Sequence, residues 1–294
     1  RLLQSAGRTV YTMYTQAFGA IINIILDPIL IHGWLGCPAM GIAGAAWATV
    51  IANLVSSGIA IWYVFGSRRM PVSLGLSLRF SEHWRNYRNV LQLGIPSGLE
   101  YFLWNMGNMI LVSFLNRLDP MHAGIYTLVF SIETVPLLIY MGLSNAGLTL
   151  VGQQTGANDP RQARRTGLLC LFCSLAVCAA VAVVFHIVPR QLLEIFTDDR
   201  EILAVSVPYL VFVSWILFPK AVNNVIGLCI RGLGDTRWML LTQIFGTCFM
   251  IFGGYWLILG LGLGLKGIFL TLLLDELLRG IANLIRFLYP VRTA

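Results

Sequence analysis

Residues 234–246 read GDTRWMLLTQIFG, and residues 7–19 read GRTVYTMYTQAFG. The two stretches align without a gap, with identities at Gly7/Gly234, Thr9/Thr236, Thr15/Thr242, Gln16/Gln243, Phe18/Phe245 and Gly19/Gly246. The register continues through Leu30/Leu257, Ile31/Ile258 and Gly33/Gly260. After one residue of slippage it pairs Gly41-Ile42 with Gly267-Ile268. Apolar matches come cheaply in a greasy sequence, but a shared Gly-x-Thr followed by Thr-Gln-x-Phe-Gly does not. The pairing therefore reads as an internal repeat, and the repeat organises everything around it.

The chain has 294 residues, 57% hydrophobic and 11% charged. A soluble domain carries roughly 25% charged residues. Several segments run about 20 residues with at most one charge, the length that crosses a bilayer core. These features predict an all-α, polytopic transmembrane helical bundle. Eight spans are expected, at roughly 10–32, 40–65, 90–116, 121–147, 167–189, 201–228, 238–260 and 265–288. The turn signals HGWLGCPAMG, NRLDPMH, TGANDPR, TDDRE, RGLGDTR and GLGLGLKG separate them. The six cysteines fall mostly inside apolar segments and read as small buried hydrophobes, not as a disulfide framework.

The formal charge of +7 is a matter of location and not a nucleic-acid footprint. Fifteen of the 20 Lys and Arg fall on one side of the alternating spans, four fall on the other, and Lys220 lies inside a span. Positive residues favour the cytoplasm. A cell (inner) membrane protein with both chain ends and the 67–89 connector cytoplasmic follows. Both copies of the repeat enter the membrane from the same side, so the repeat is parallel, and spans one and seven correspond. The unit is then six helices. Residues 1–66 form the end of an N-terminal lobe, 67–89 the linker, and 90–294 a complete C-terminal lobe. The chain does not begin with Met. Extending the 227-residue separation of Gly7 and Gly234 back from residue 90 calls for about four further spans upstream. Twelve helices in two six-helix lobes are expected, with the first lobe truncated here.

Asp27 interrupts the apolar run NIILDPIL, Asn23–Leu30. An ionised Asp at a helix centre costs roughly 2.5–3.5 kcal/mol on insertion scales. A carboxylate stripped of water holds a proton more readily, so an acid here suits an exchangeable proton or cation. Asn23 lies four residues earlier on the same helix face. It offers an amide to the carboxylate or a carbonyl oxygen to a cation. Pro28 cannot donate a backbone hydrogen bond, which favours a helix bend and frees a carbonyl one turn back. The structural alternative is an Asp near the outer membrane face that caps or pairs locally.

Glu100 follows GIPSGL, Glu133 precedes Pro136, and Lys220 follows Pro219. Three ionisable groups inside one bundle are expected to face its interior and pair, Lys220 with Glu100 or with Glu133. Such a pair is either a static pin between helices or a site where a cationic cargo displaces Lys220. Tyr101, Trp104, Tyr126, Phe130 and Tyr140, with Met106 and Trp215, are candidates to line a cavity for flat cations. Asp159 and Asp235 are placed to cap helices, Arg164 and Arg231 to satisfy helix carbonyls, and Asp275 with Arg279 to form an i,i+4 pair.

NIILDPILI followed by GIAGAAWATVIA, then LGIPSGLE, LVGQQTGANDPRQA and RGLGDTRWM, resemble the multidrug and toxic compound extrusion (MATE) transporters in order and spacing. The resemblance covers essentially the whole chain, as helices five to twelve of the family's twelve. It implies a secondary active antiporter, monomeric, that exports amphipathic organic cations in exchange for H+ or Na+ by alternating access. Asn23-x-x-x-Asp27 matches the family's fifth-helix motif, where the Asp belongs to the N-lobe coupling site. One branch of the family carries a C-lobe cation site with an Asp on helix ten. That place is held here by Lys220, and the branch's helix-seven Glu falls nearer Trp104 than Glu100. The departure favours H+ over Na+.

Gly262, Gly264 and Gly267 fit G-x-G-x-x-G but lie between spans, without the βαβ context of a nucleotide site. No H-E-x-x-H or G-x-S-x-G occurs, and the four His are scattered. No enzyme activity, metal or cofactor is expected beyond the coupling ion. The rival reading, a lipid-linked precursor flippase of related fold, would want a strongly cationic cavity.

Overall fold

The computed structural model describes residues 9–66 and 80–289, and two compact units divide the chain, Arg1–Glu82 and His83–Ala294. The described residues are helical almost throughout. The first unit holds α1 (Thr9–His32) and α2 (Ile42–Ile61). The chain then runs through α3 (Phe80–Leu118), α4 (Pro120–Gly156), α5 (Pro160–Ile187), the short α6 (Pro189–Glu194), α7 (Arg200–Gly232), α8 (Thr236–Tyr255) and α9 (Gly264–Leu288). A π-helical turn extends α2 over Trp62–Gly66 and another extends α8 over Trp256–Gly260.

Eight long helices occupy the places of the eight expected spans. Six of them, α1, α2, α4, α5, α7 and α8, are long and apolar enough to cross a membrane. Helices α3 and α9, 39 and 25 residues long, fall short of that apolarity while holding the places of the third and eighth expected spans. Helix α9 carries Lys266, Asp275, Glu276, Arg279 and Arg286 on one helix, and its polar face is buried against protein. Helix α3 starts at Phe80, so the last residues of the expected 67–89 connector are its opening turns. Residues 67–79 of that connector lie outside the described residues.

In the first unit α1 and α2 pack along each other with small residues at the contact. A Cβ on Gly44 would lie 2.3 Å from the Leu30 carbonyl oxygen, and one on Gly19 would lie 2.0 Å from Ser56 Oγ. Helix pairs in lipid gain by close approach, because apolar surface alone gives no driving force there. Tyr11 and Tyr63 stack at 4.1 Å.

In the second unit α7 is central and packs on α4, α5 and α9. Its apolar side chains Leu210, Val213, Ile216, Leu217, Val225 and Ile226 are almost wholly buried. Helix α3 meets α8 where Gly107 approaches Thr247 and Met250, and where Leu111 fills the space beside Gly254. The sequence dictates the turns. The turn after α4 passes through Asn158 at φ 59° and that after α7 through Gly234 at φ 89°, residue types that tolerate the left-handed region. In each case an Asp follows at once and caps the next helix: Asp159 accepts from Gln162 N at 3.0 Å, and Asp235 from Trp238 N at 3.2 Å. Asp119 and Asp199 cap α4 and α7 in the same way.

The crossing of α4 and α7 is set by Gly232, whose added Cβ would lie 2.7 Å from the Leu148 carbonyl oxygen and 3.2 Å from Gly152 N. Backbone atoms cannot swing aside. Gly232→Ala should therefore lower stability by about 1–3 kcal/mol, measured as thermal unfolding of the purified protein. Gly124→Ala, on α4 with open space around it, should be neutral or stabilising by up to about 1 kcal/mol.

Candidate functional site

The second unit gathers its buried charges into one polar cluster. Lys220, one residue past Pro219 on α7, donates to Glu133 Oε1 on α4 at 2.6 Å, and both residues are buried. Of the two partners open to Lys220 from sequence, it is Glu133 that receives it. Phe130 lies three residues before Glu133 on the same helix face. Its ring centroid is 5.6 Å from the Lys220 ammonium, a cation–π distance. Tyr126, one further turn back, stacks on Phe130 at 6.1 Å. The spacing 130, 133 thus presents one ring and a carboxylate to one ammonium, with Tyr126 stacked behind the ring.

A second set hangs on Arg279 of α9. Its guanidinium forks onto Asp275, with Nη2–Oδ2 at 2.6 Å and Nε–Oδ1 at 3.1 Å, and its Nη1 donates to Gln243 Oε1 on α8 at 2.8 Å. Gln243 passes the chain on to Thr247 Oγ1 at 3.1 Å, and Thr247 donates to the Leu103 carbonyl of α3 at 3.3 Å. Glu276 Oε1 stands 3.8 Å from Arg279 Nη2, and its Oε2 accepts from Asn223 Nδ2 of α7 at 2.7 Å. Asn283 Nδ2 donates to Asn223 Oδ1 at 2.8 Å, and Trp238 Nε1 donates to Asn283 Oδ1 at 2.9 Å. The repeat motif gains a physical meaning here. Gln243 holds the guanidinium, and Gly246 leaves room for it, since a Cβ there would lie 2.7 Å from Arg279 Cδ. The other copy's glycine, Gly19, likewise admits a side chain of the following helix, Ser56.

Two further pairs lie beside this cluster. Arg231, near the end of α7, pairs with Glu100 on α3, and does not cap helix carbonyls as its position suggested. Arg286 of α9 pairs with the capping Asp235 at 2.6 Å and stacks its guanidinium over Trp238 at 5.1 Å.

The sequence pointed to Glu100, Glu133 and Lys220, and to the Asp275–Arg279 pair. It did not point to Asn223, Gln243, Glu276 or Asn283. The available signal was the polar spacing 275, 279, 283 on α9, which marks one helix face at intervals of four.

In the first unit Asp27 is half-buried and makes no side-chain hydrogen bond or ion pair among the described residues. Asn23 does not reach it. The Asn23 amide lies 3.5 Å from Thr49 Oγ1 on α2, and Thr49 donates to the Ala45 carbonyl. Helix α1 continues through Pro28, as α4 does through Pro136 and α7 through Pro219.

The expected cavity residues are dispersed. Tyr140 is wholly buried and Tyr126 nearly so, both packed among helices and not facing open space. Tyr101 is exposed and stacks on the half-buried Trp104 at 6.4 Å. An apolar groove of about 430 Å³ lies instead in the first unit, lined by residues including Tyr11, Tyr14, Phe18, Trp62 and Tyr63. Among the described residues no group of His, Cys, Asp and Glu is arranged to hold a metal ion.

The sequence profile of the MatE family matches residues 96–256. The chain is 28% identical to the uncharacterized transporter YisQ of Bacillus subtilis, over 95% of this chain and 61% of YisQ. It is 25% identical to the probable multidrug resistance protein NorM of Thermotoga maritima, over 98% of this chain and 61% of that protein. It therefore spans about 61% of the length of these relatives. In fold it is similar to an outward-facing MATE transporter of the MOP superfamily, with a TM-score of 0.86 at 20% identity over 97% of this chain and 63% of that one. The chain belongs to the MatE family, the MATE transporters that its motifs resemble.

Proposed function

We propose that the protein is a secondary active antiporter that exports amphipathic organic cations in exchange for H+, acting as a monomer in the cell membrane with the Arg-rich side cytoplasmic. The observation that carries this reading is the Lys220–Glu133 pair, buried at 2.6 Å beneath the Phe130 ring. A carboxylate held by an ammonium beside aromatic faces is a place where one organic cation can replace another. The names of relatives such as the multidrug resistance protein NorM of Thermotoga maritima favour a drug-like cargo. The flippase alternative would need a cationic interior. In the cluster the buried acids Glu133, Asp275 and Glu276 outnumber the buried bases Lys220 and Arg279, which favours a cationic cargo. No constellation for covalent catalysis is present among the described residues. Product formation independent of any gradient would count against transport.

Asp27 is the proposed proton-coupling group of the first unit. It is half-buried beside Pro28, without a protein cation to neutralise it among the described residues. Asn23 serves it indirectly, by fixing α1 to α2 through Thr49.

Reconstituted full-length protein should drive efflux of a fluorescent organic cation when a pH gradient is imposed, and not when the gradient is collapsed. Asp27→Asn should abolish that gradient-driven efflux at every pH while leaving the protein folded by thermal unfolding. Removing one member of the buried pair leaves the other charge uncompensated. Lys220→Met or Glu133→Leu alone should therefore cost about 3–5 kcal/mol of stability, and the double variant should recover most of it. Efflux by the double variant separates the two roles. A displacement site predicts no efflux, whereas a static pin predicts efflux restored along with stability.

A further inference from the structure

Two turns meet at one end of the second unit. The turn from α4 to α5 adjoins the turn from α7 to α8, since a Cβ on Gly152 would lie 3.5 Å from the Gly232 carbonyl oxygen. The helices that leave these turns, α5 and α8, are both long and apolar enough to cross a membrane. Arginines stand in the first turns of each: Arg161, Arg164 and Arg165 on α5, and Arg237 on α8. All four are exposed, and among the described residues none of them has an ion-pair partner.

The acids of these turns are already engaged. Asp159 Oδ1 accepts from Gln162 N at the start of α5. Asp235 caps α8 and holds Arg286. Glu100 is held by Arg231 at the end of α7. Arg231 and Arg286 are therefore neutralised within the protein, while the four exposed guanidiniums keep their charge for what lies outside it.

Beyond its arginines, α5 turns apolar on the same face. Arg161, Arg165, Leu168 and Phe172 follow one another at i,i+3 and i,i+4 spacing, which sets them in a row along one side of a helix. Leu168 is 40% exposed and Phe172 70%. Helix α5 is also the most apolar of the six helices able to cross a membrane. From Arg165 to Phe172 the helix rises roughly 10 Å. A row of guanidiniums above a bare apolar face at that separation matches the phosphate and the upper acyl chain of a phospholipid. Basic side chains beside a membrane span draw anionic headgroups to them, an attraction that fades within a Debye length.

We propose that the exposed face of α5 is a binding site for an anionic phospholipid. Arg161, Arg164 and Arg165 hold the phosphate, Leu168 and Phe172 take an acyl chain, and Arg237 at the adjoining turn adds to the positive field. Charge complementarity selects this occupant. A zwitterionic lipid offers the same chain without the net charge, and a soluble anion offers the charge without the chain. The assignment depends neither on the cargo nor on the coupling ion.

The test uses full-length protein in detergent, given an equimolar mixture of phosphatidylglycerol and phosphatidylcholine with the same acyl chains, and read by native mass spectrometry. Wild type should retain phosphatidylglycerol in preference. A single Arg→Gln change at position 161, 164 or 165 should lower that preference about fivefold, and the triple variant should lose it. Arg→Lys at the same three positions should keep it. Arg200→Gln, at the opposite end of the unit, should leave it unchanged. Phe172→Ser should lower the retention of both lipids. Glycerol phosphate, which carries the charge without the chains, should not displace the bound lipid. Equal retention of the two lipids by wild type, or a preference that survives in the triple Gln variant, would overturn the assignment. Displacement by glycerol phosphate would overturn it too, in favour of a soluble anion.

Discussion

A charge taken out of water must meet an opposite charge, and in this chain the opposite charge usually sits on a different helix. Lys220 reaches Glu133 across 87 residues, Arg231 reaches Glu100 across 131, and Arg286 reaches Asp235 across 51. Between helices in lipid, apolar packing discriminates poorly, because one greasy face suits another and suits the lipid as well. The ion pairs do discriminate. They tie α7 to α4 and α3, and α9 to the start of α8, while Asn223 ties α7 to α9. Each of these contacts fixes which helices adjoin and in what register. Close approach at glycine then becomes possible where the register demands it, as where Gly280 of α9 meets the Pro219 carbonyl of α7.

What could be read from sequence was local. The left-handed Asn158 and Gly234, each followed by a capping Asp, declare their turns within three residues, and the structure puts the helix ends there. Asp275 and Arg279 lie one turn apart on one helix, so their pairing needed no knowledge of the fold. Lys220 had two plausible partners, and only the packing of α7 against α4 decides between them. The Thr-Gln-x-Phe-Gly motif could be seen as a repeat, yet not as a cradle, because Arg279 arrives from another helix. Glu276 was invisible for the same reason: its hydrogen bond spans 53 residues. Of the aromatics expected to line a cavity, Tyr140 and Tyr126 are packed inside the bundle, a burial that their sequence context does not display.

Prolines accompany the ionisable groups with a regularity that composition does not require. Asp27 precedes Pro28, Glu133 lies three residues before Pro136, Lys220 follows Pro219, and Glu100 lies four after Pro96. Each proline removes one helix hydrogen bond and leaves the carbonyl four residues back without its donor. The freed carbonyls are those of Ile24, Ile132, Trp215 and Gln92. A free carbonyl is a local negative end that favours a nearby cation. It also marks the point where a helix yields most easily.

Helix α9 differs, with no proline from Gly264 to Leu288, and it carries Asp275, Glu276, Arg279 and Asn283 on an unbroken hydrogen-bonded frame. The second unit therefore sets a stiff helix bearing a dense row of polar groups against two compliant ones, α4 and α7, that bear their partners. Stiffness and compliance are thus divided between α9 and α7, the helix on which α4, α5 and α9 all rest.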